Sequence, residues 1–195
     1  MDTKSWSSSD RLLLAAIDLF AEKGYNGVTT KEIAAAANLS EMTLFRQFGS
    51  KQNLLEAAVD RFHYGPEMKT LFQEKLVWDL QTDLLLVSRT YHEIMNRNTK
   101  LIQIGVKESA RIPGLHERLH QHPRQLKEFL TRYFEGMYER GKLIQTSPEH
   151  LALAFMWMNH GAFLDSRRPE RSLSTAPLDE FIQESVLVFA RGLTP

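Results

Sequence analysis

Two sets of side chains in this chain have the types and spacing to do chemistry. His116-Glu117-Arg118-Leu119-His120 matches the HExxH pattern. On a helix its two imidazoles share a face and can hold a zinc ion, with Glu117 as general base, and His122 adds a third imidazole nearby. The second set lies between Thr29 and Lys51. Ser40, Glu41, Met42, Thr43, Arg46 and Gln47 stand on what reads as a short helix, with Leu44, Phe45 and Phe48 as its apolar area. A short polar helix braced by another is the standard means of entering the major groove of DNA. Thr43 can bond a base or phosphate and touch a thymine methyl, and Arg46 can grip guanine bidentately or clamp a phosphate. Thr29 and Thr30, with the amides of their helix start, can hold a phosphate, as can Ser50 and Lys51 at the next helix start.

The elements that must position the second set are legible around it. Leu12, Leu13, Ala16, Ile17, Leu19 and Phe20 make one apolar helical stripe, with Ser8 or Ser9 as its cap and Gly24 at its end. Thr29 and Glu32 stand at capping-box spacing and open a helix running to about Ala36. Ala37-Asn38-Leu39 is the turn, in which Asn38 can take a left-handed backbone. Ala34, Ala36 and Ala37 are small enough for two helices to cross closely. Ser40 caps the third helix, which ends before Gly49, and Ser50 caps a fourth with Leu54, Leu55, Ala58, Val59 and Phe62 as its apolar face. Gly65-Pro66 breaks or kinks that helix.

The surroundings of the first set are poorer. Pro113-Gly114 precedes it and Pro123 follows it, so the motif reads as a solvated turn or short helix beside a loop. A metal-dependent hydrolase built on His116, Glu117 and His120 is the competing reading. No phosphate-cradling glycine loop and no convincing serine nucleophile motif appears, and no metal or cofactor is expected.

The rest of the chain predicts helices over about 80–96, 100–111, 123–140, 148–165 and 178–192, with a polar loop over 165–176. Pro148 sits in the first-turn position after a Ser147 cap. The chain has 195 residues, 43% hydrophobic and 25% charged, so it can bury a core. Its 24 basic and 24 acidic side chains cancel, and residues 1–64 hold seven Lys/Arg against eight Asp/Glu. That argues against a non-specific polycation and leaves specific DNA contacts open. Cysteine is absent, which suits a reducing cytoplasm. The polar start, Met1 to Asp10, does not read as a signal peptide, and the longest strongly apolar run, Leu151 to Met158, is too short to span a bilayer. The expectation is an all-α, cytoplasmic protein with no membrane partner: a three-helix DNA-binding unit over residues 1–50 and a helical body over 51–195.

Leu12-Leu13, Ala15-Ala16, Leu19-Phe20, Gly24-Tyr25, Thr29-Thr30, Glu32-Ile33-Ala34, Ala37, Ser40, Thr43-Leu44-Phe45, Phe48 and Ser50-Lys51, in that order, closely resemble the TetR family of bacterial transcriptional regulators. The resemblance covers about the first 55 residues, and departs from the family at Asn38 and Met42, where glycine is usual, and at Phe45, where tyrosine is frequent. It implies a regulator rather than an enzyme: a repressor that binds double-stranded operator DNA as a homodimer and is released by a small, largely apolar effector. A regulator controlled by a protein partner is the alternative. The family's body dimerises through its last two helices, which here points to Phe155, Met158, Ala162, Phe163, Phe181, Val186 and Phe189. It also encloses a pocket, for which Trp78, Tyr91, His92, Met95, Gln103, Ile104, Phe134, Met137, Trp157, Asn159 and His160 are the candidates.

Overall fold

A computed structural model describes residues 6–167, 170 and 172–195. Among the described residues the regular elements are ten α-helices: α1 (Ser8–Lys23), α2 (Thr30–Ala36), α3 (Glu41–Phe48), α4 (Lys51–Phe62), α5 (Gly65–Glu74), α6 (Leu80–Arg97), α7 (Thr99–Glu108), α8 (Leu115–Glu139), α9 (Pro148–Ser166) and α10 (Leu178–Leu193). The all-α reading therefore holds. None of the described helices is long and apolar enough to cross a membrane.

Most starts and stops follow from local chemistry. Ser7, rather than Ser8 or Ser9, caps α1 by accepting from the Asp10 amide, and Gly24 closes it at φ +76°. Thr29 and Glu32 form both halves of the capping box. Ser40, Ser50 and Ser147 each accept from an amide three residues on. Four expectations are corrected. Gly65-Pro66 does not merely end α4: proline's fixed φ and missing N–H suit a first turn, and the pair opens α5, which periodicity did not reveal. Pro123 lies inside α8 rather than at its start. The HExxH residues are thus part of a long helix, not a turn. The loop expected over 165–176 is shorter, since α9 continues to Ser166; Arg168, Pro169 and Arg171 within it, like Met1 to Ser5, lie outside the described residues.

The chain forms two compact units. One comprises the residues up to His63 together with Asn98–Gln121, the other Tyr64–Arg97 together with His122–Pro195. In the first, Leu12, Ala16 and Phe20 of α1, Ile33, Leu44, Leu54, Leu55 and Ala58 share one core with Leu101 and Ile104 of α7 and with Leu115. This unit extends beyond residues 1–50. Arg118, in the first turn of α8, pairs with Glu56 at 3.0 Å and with Asp60 of α4. In the second unit, α6 packs on α9 and α10. Leu84, Phe134, Phe155 and Val186 are among its fully buried side chains, and Phe189 meets the rings of Phe155 and Phe134 at 5.8 and 6.3 Å. Asp83 is buried there with its carboxylate satisfied by the Tyr133 hydroxyl at 3.0 Å and the Val77 amide at 2.9 Å.

Candidate nucleic-acid interface

The site is built on the junction of α2 and α3. α2 ends in a Schellman closure: the Leu39 amide donates to Ala34 O and the Asn38 amide to Ala35 O, both at 2.9 Å. This requires a left-handed residue after the helix, and Asn38 supplies it at φ +53°. Ala34 and Ala37 are buried at the crossing, whereas Ala36, expected there, is exposed. From α1 the Arg11 guanidinium reaches the turn, donating to Ala37 O from Nε at 3.1 Å and to Asn38 O from Nη2 at 3.0 Å. Nothing in the sequence marks Arg11 as a site residue. An arginine in a helix's first turn carries no local sign that its fork clamps carbonyls 26 residues away.

Several side chains expected to face DNA are engaged in bracing. The Thr29 hydroxyl and amide both donate to Glu32 Oε2 at 2.8 Å. These bonds, the amide's first, and then Lys23 pull the Glu32 carboxyl down to about 2. Thr30 donates to Glu41 Oε1 at 2.6 Å and ties the start of α2 to the first turn of α3. Ser40 Oγ and Thr43 Oγ1 lie 2.9 Å apart, and the Thr43 amide donates to Ser40. Lys51 Nζ donates to Tyr25 O at 3.0 Å and Val28 O at 2.9 Å, and sits 4.3 Å from the Tyr25 ring centre. Two of the three ammonium protons are thereby committed, which leaves one for a phosphate.

The outward face of α3 is then clear. Met42 is 80% exposed and Phe45 47% exposed, and Arg46 and Gln47 are exposed as well. Met42, Phe45 and Arg46 stand at i, i+3 and i+4, and so form one face, flanked by Thr43 and Gln47. Leu44, counted from sequence as contact area, is fully buried and anchors the helix instead. The end of α3 is held by the Asn53 amide group donating to Phe48 O at 2.9 Å.

The geometry is that of a helix-turn-helix whose second helix projects exposed side chains. Residues 12–58 match the model of the bacterial regulatory proteins of the tetR family, and residues 82–192 match that of the AefR-like transcriptional repressor C-terminal domain. The chain belongs to the TetR family of transcriptional regulators. A relative, the uncharacterized HTH-type transcriptional regulator YvkB of Bacillus subtilis strain 168, is 32% identical over 188 residues, covering 96% of this chain and 97% of that one. The negative transcriptional regulator IcaR of the biofilm operon icaADBC in Staphylococcus aureus strain Newman is 23% identical, over 76% of this chain and 79% of its own. In fold, the chain matches the TetR family regulator PfmR of Thermus thermophilus with a TM-score of 0.70 at 19% identity, over 95% of this chain and 100% of that one. It also matches a protein of unknown function from Rhodococcus sp. RHA1 with a TM-score of 0.76 at 17% identity, covering 100% and 98%.

The other candidate residues of this TetR-family chain are placed as follows. Tyr91, His92, Met95, Phe134 and Met137 are buried in the second unit. Trp78 is there too, half-buried, stacked on Tyr133 at 5.7 Å with the Arg140 guanidinium 3.6 Å from its ring centre. Three pocket candidates do not join them. Gln103 is exposed on α7 and Ile104 is core, both in the first unit, and Trp157 is 68% exposed on α9. His160 is exposed but shares a hydrogen bond with Tyr91. Of the interface candidates, Phe155, Phe163 and Val186 are core side chains of the second unit, while Met158, Ala162, Phe181 and Phe189 are half-buried. His116 and His120 do share a face of α8, with ring centres 4.3 Å apart, and both are exposed. Among the described residues no group of three or more His, Cys, Asp or Glu could hold a metal ion.

Proposed function

We propose that the protein is a homodimeric repressor that binds a double-stranded operator through α3 and leaves it when a small, largely apolar effector binds the second unit. The observation that carries the reading is the exposed Met42–Phe45–Arg46 face on a helix whose turn and ends are tied down. A single head touches few bases, so useful affinity needs two of them at half-site spacing. α9 offers the pairing surface: Ala154, Trp157, Gly161 and Leu164 recur at helical spacing and are all exposed, and Val188 of α10 is 71% exposed. This stripe replaces Phe155, Phe163 and Val186 as the proposed interface, with Met158, Ala162, Phe181 and Phe189 at its edge. Repression is favoured by the two repressor descriptions among the similar proteins. A cytoplasmic location, a functional division near Ser50 and an effector held by Tyr91, His92, Met95, Phe134 and Met137 belong to the same reading.

Replacing Thr43 and Arg46 together with alanine is expected to abolish binding to an operator selected from random duplexes, with helicity and dimer mass unchanged. Retained binding, or loss of the fold, would defeat the assignment of α3. Trp157→Glu is expected to yield a monomer by light scattering, and a dimer that survives it would defeat the assignment of α9.

A further inference from the structure

The interior of the second unit narrows the chemistry of the effector. α6 and α9 meet there through two consecutive polar pairs. In the first, Tyr91 Oη and His160 Nδ1 share a hydrogen bond of 3.1 Å. In the second, His92 faces Asn159 closely enough for the amide to act on the imidazole, yet neither His92 nitrogen nor Asn159 Oδ1 makes a well-formed hydrogen bond within the protein. The Asn159 NH2 group is committed to Phe155 O at 2.9 Å. Ser88, one turn before His92 on the same face of α6, is fully buried, and its hydroxyl also has no partner. His92 and Asn159 are each only 4% exposed. Buried polar atoms are almost always paired, because leaving them unpaired opposes folding. Here three neighbouring side chains share that defect, next to a pair that does not.

Their chemistry selects a complement. Asn159 Oδ1 only accepts, so the partner must donate, and a neutral imidazole and a serine hydroxyl each do both. A hydroxyl group donates and accepts at a single atom. An ionised carboxylate has no hydrogen to donate and would set acceptor against acceptor at Asn159 Oδ1. Burial also pushes His92 down to about 4, so it supplies no cation at neutral pH. An ammonium group would bring a charge among uncharged buried side chains and could accept nothing from His92 or Ser88. Buried charge without a partner is strongly disfavoured. Aromatic rings adjoin the cluster: Tyr91 lies 5.4 Å from the His92 ring and 5.6 Å from that of Tyr64.

We propose that the effector is an uncharged, largely apolar alcohol or phenol, held at its hydroxyl by Asn159 Oδ1 and His92 with Ser88 beside them. This rests on the reading of the chain as a ligand-responsive regulator. The test is calorimetric titration of the full-length protein at pH 7.5 with 4-ethylphenol and 1-octanol, against 4-ethylanisole, 4-ethylbenzoate and octanoate. A hydroxyl probe is expected to bind at least tenfold more tightly than the methyl ether, with no measurable binding of the carboxylates. Asn159→Leu and His92→Phe, made separately so that misfolding of one leaves the other, are expected to erase the preference of phenol over ether. Equal binding of phenol and ether, no binding of either hydroxyl probe, or a preference that survives a folded variant would overturn the proposal and leave a structural water as the occupant. Operator release, followed by fluorescence anisotropy, separates the two readings. Release by the carboxylates without hydroxyl binding overturns the class but keeps a ligand-responsive regulator. No release by any probe or by an organic cell extract overturns both.

Discussion

Leu44 and Met42 stand two residues apart on α3 and divide its two tasks, so a matched pair of truncations tests the interface. Leu44 is the buried residue of this eight-residue helix and has no exposed surface, while Met42 is 80% exposed. A helix this short does not hold its shape alone and depends on such an anchor. Core Leu→Ala changes cost about 2–5 kcal/mol, the spread reflecting how well the site closes around the cavity. α3 can settle inward only partly, because the Thr30–Glu41 bond and the closure at Leu39 hold its start. We therefore expect Leu44→Ala to cost about 3 kcal/mol, somewhat over a hundredfold in the folding equilibrium. Met42→Ala should change stability by no more than about 0.5 kcal/mol. It should instead weaken operator binding: a penalty of about 1 kcal/mol at each head is about thirtyfold for two heads. Urea unfolding followed by circular dichroism reads the first quantity, with an unchanged denaturant slope as the control. Anisotropy titration of a selected operator reads the second. If Leu44→Ala unfolds at the wild-type midpoint, or if Met42→Ala is the destabilised variant, the two faces of α3 are assigned the wrong way round.

Three further outcomes are expected. Arg11→Ala should cost about 2 kcal/mol in urea unfolding, since its charge-assisted bonds to Ala37 O and Asn38 O disappear, and Arg11→Lys should recover only part because it lacks the fork. Gly136→Ala should cost about 1–3 kcal/mol and lower the melting temperature, because a Cβ there would sit 2.9 Å from Trp78 Cζ3. Stability should also fall on acidification between the ordinary histidine value and about 4, since buried His92 stays neutral in the folded chain while the unfolded chain takes up a proton. The contribution is complete above pH 6.5, and its loss amounts to at most about 3 kcal/mol. His92→Phe should flatten the urea midpoint against pH over that window, and identical slopes would show that another group is responsible.

What was legible from sequence was what neighbouring residues decide among themselves. A capping box needs only Thr29 and Glu32, and a Schellman closure needs only a residue that tolerates positive φ at the right offset, which Asn38 does. The spacing of Leu12, Ala16 and Phe20 marked the buried side of α1 correctly for the same reason. α5 escaped because its opening Gly65-Pro66 reads equally as a stop, and only Met68 and Leu71 among its hydrophobic residues are deeply buried.

What was not legible is which apolar side of a helix meets its own chain and which is left over. α9 is apolar nearly all round, so no period separates its two faces. Phe155 and Phe163 look no different in sequence from Trp157 and Leu164, yet the first two are core and the second two are exposed. The difference arises only when α6 and α10 occupy one side of α9. The long polar side chains carry the same ambiguity. Arg11 and Lys51 are both cations in the sequence around the helix-turn-helix, and either could serve a phosphate. Each is instead directed at backbone carbonyls left by a turn far away in sequence, Ala37 and Asn38 for Arg11, Tyr25 and Val28 for Lys51. Both are thus committed to bracing, Arg11 at the α2–α3 turn and Lys51 between α4 and the segment before α2. Because residues 1–64 carry no excess of positive charge, under the proposed function specificity is assigned to the face formed by Met42, Phe45 and Arg46.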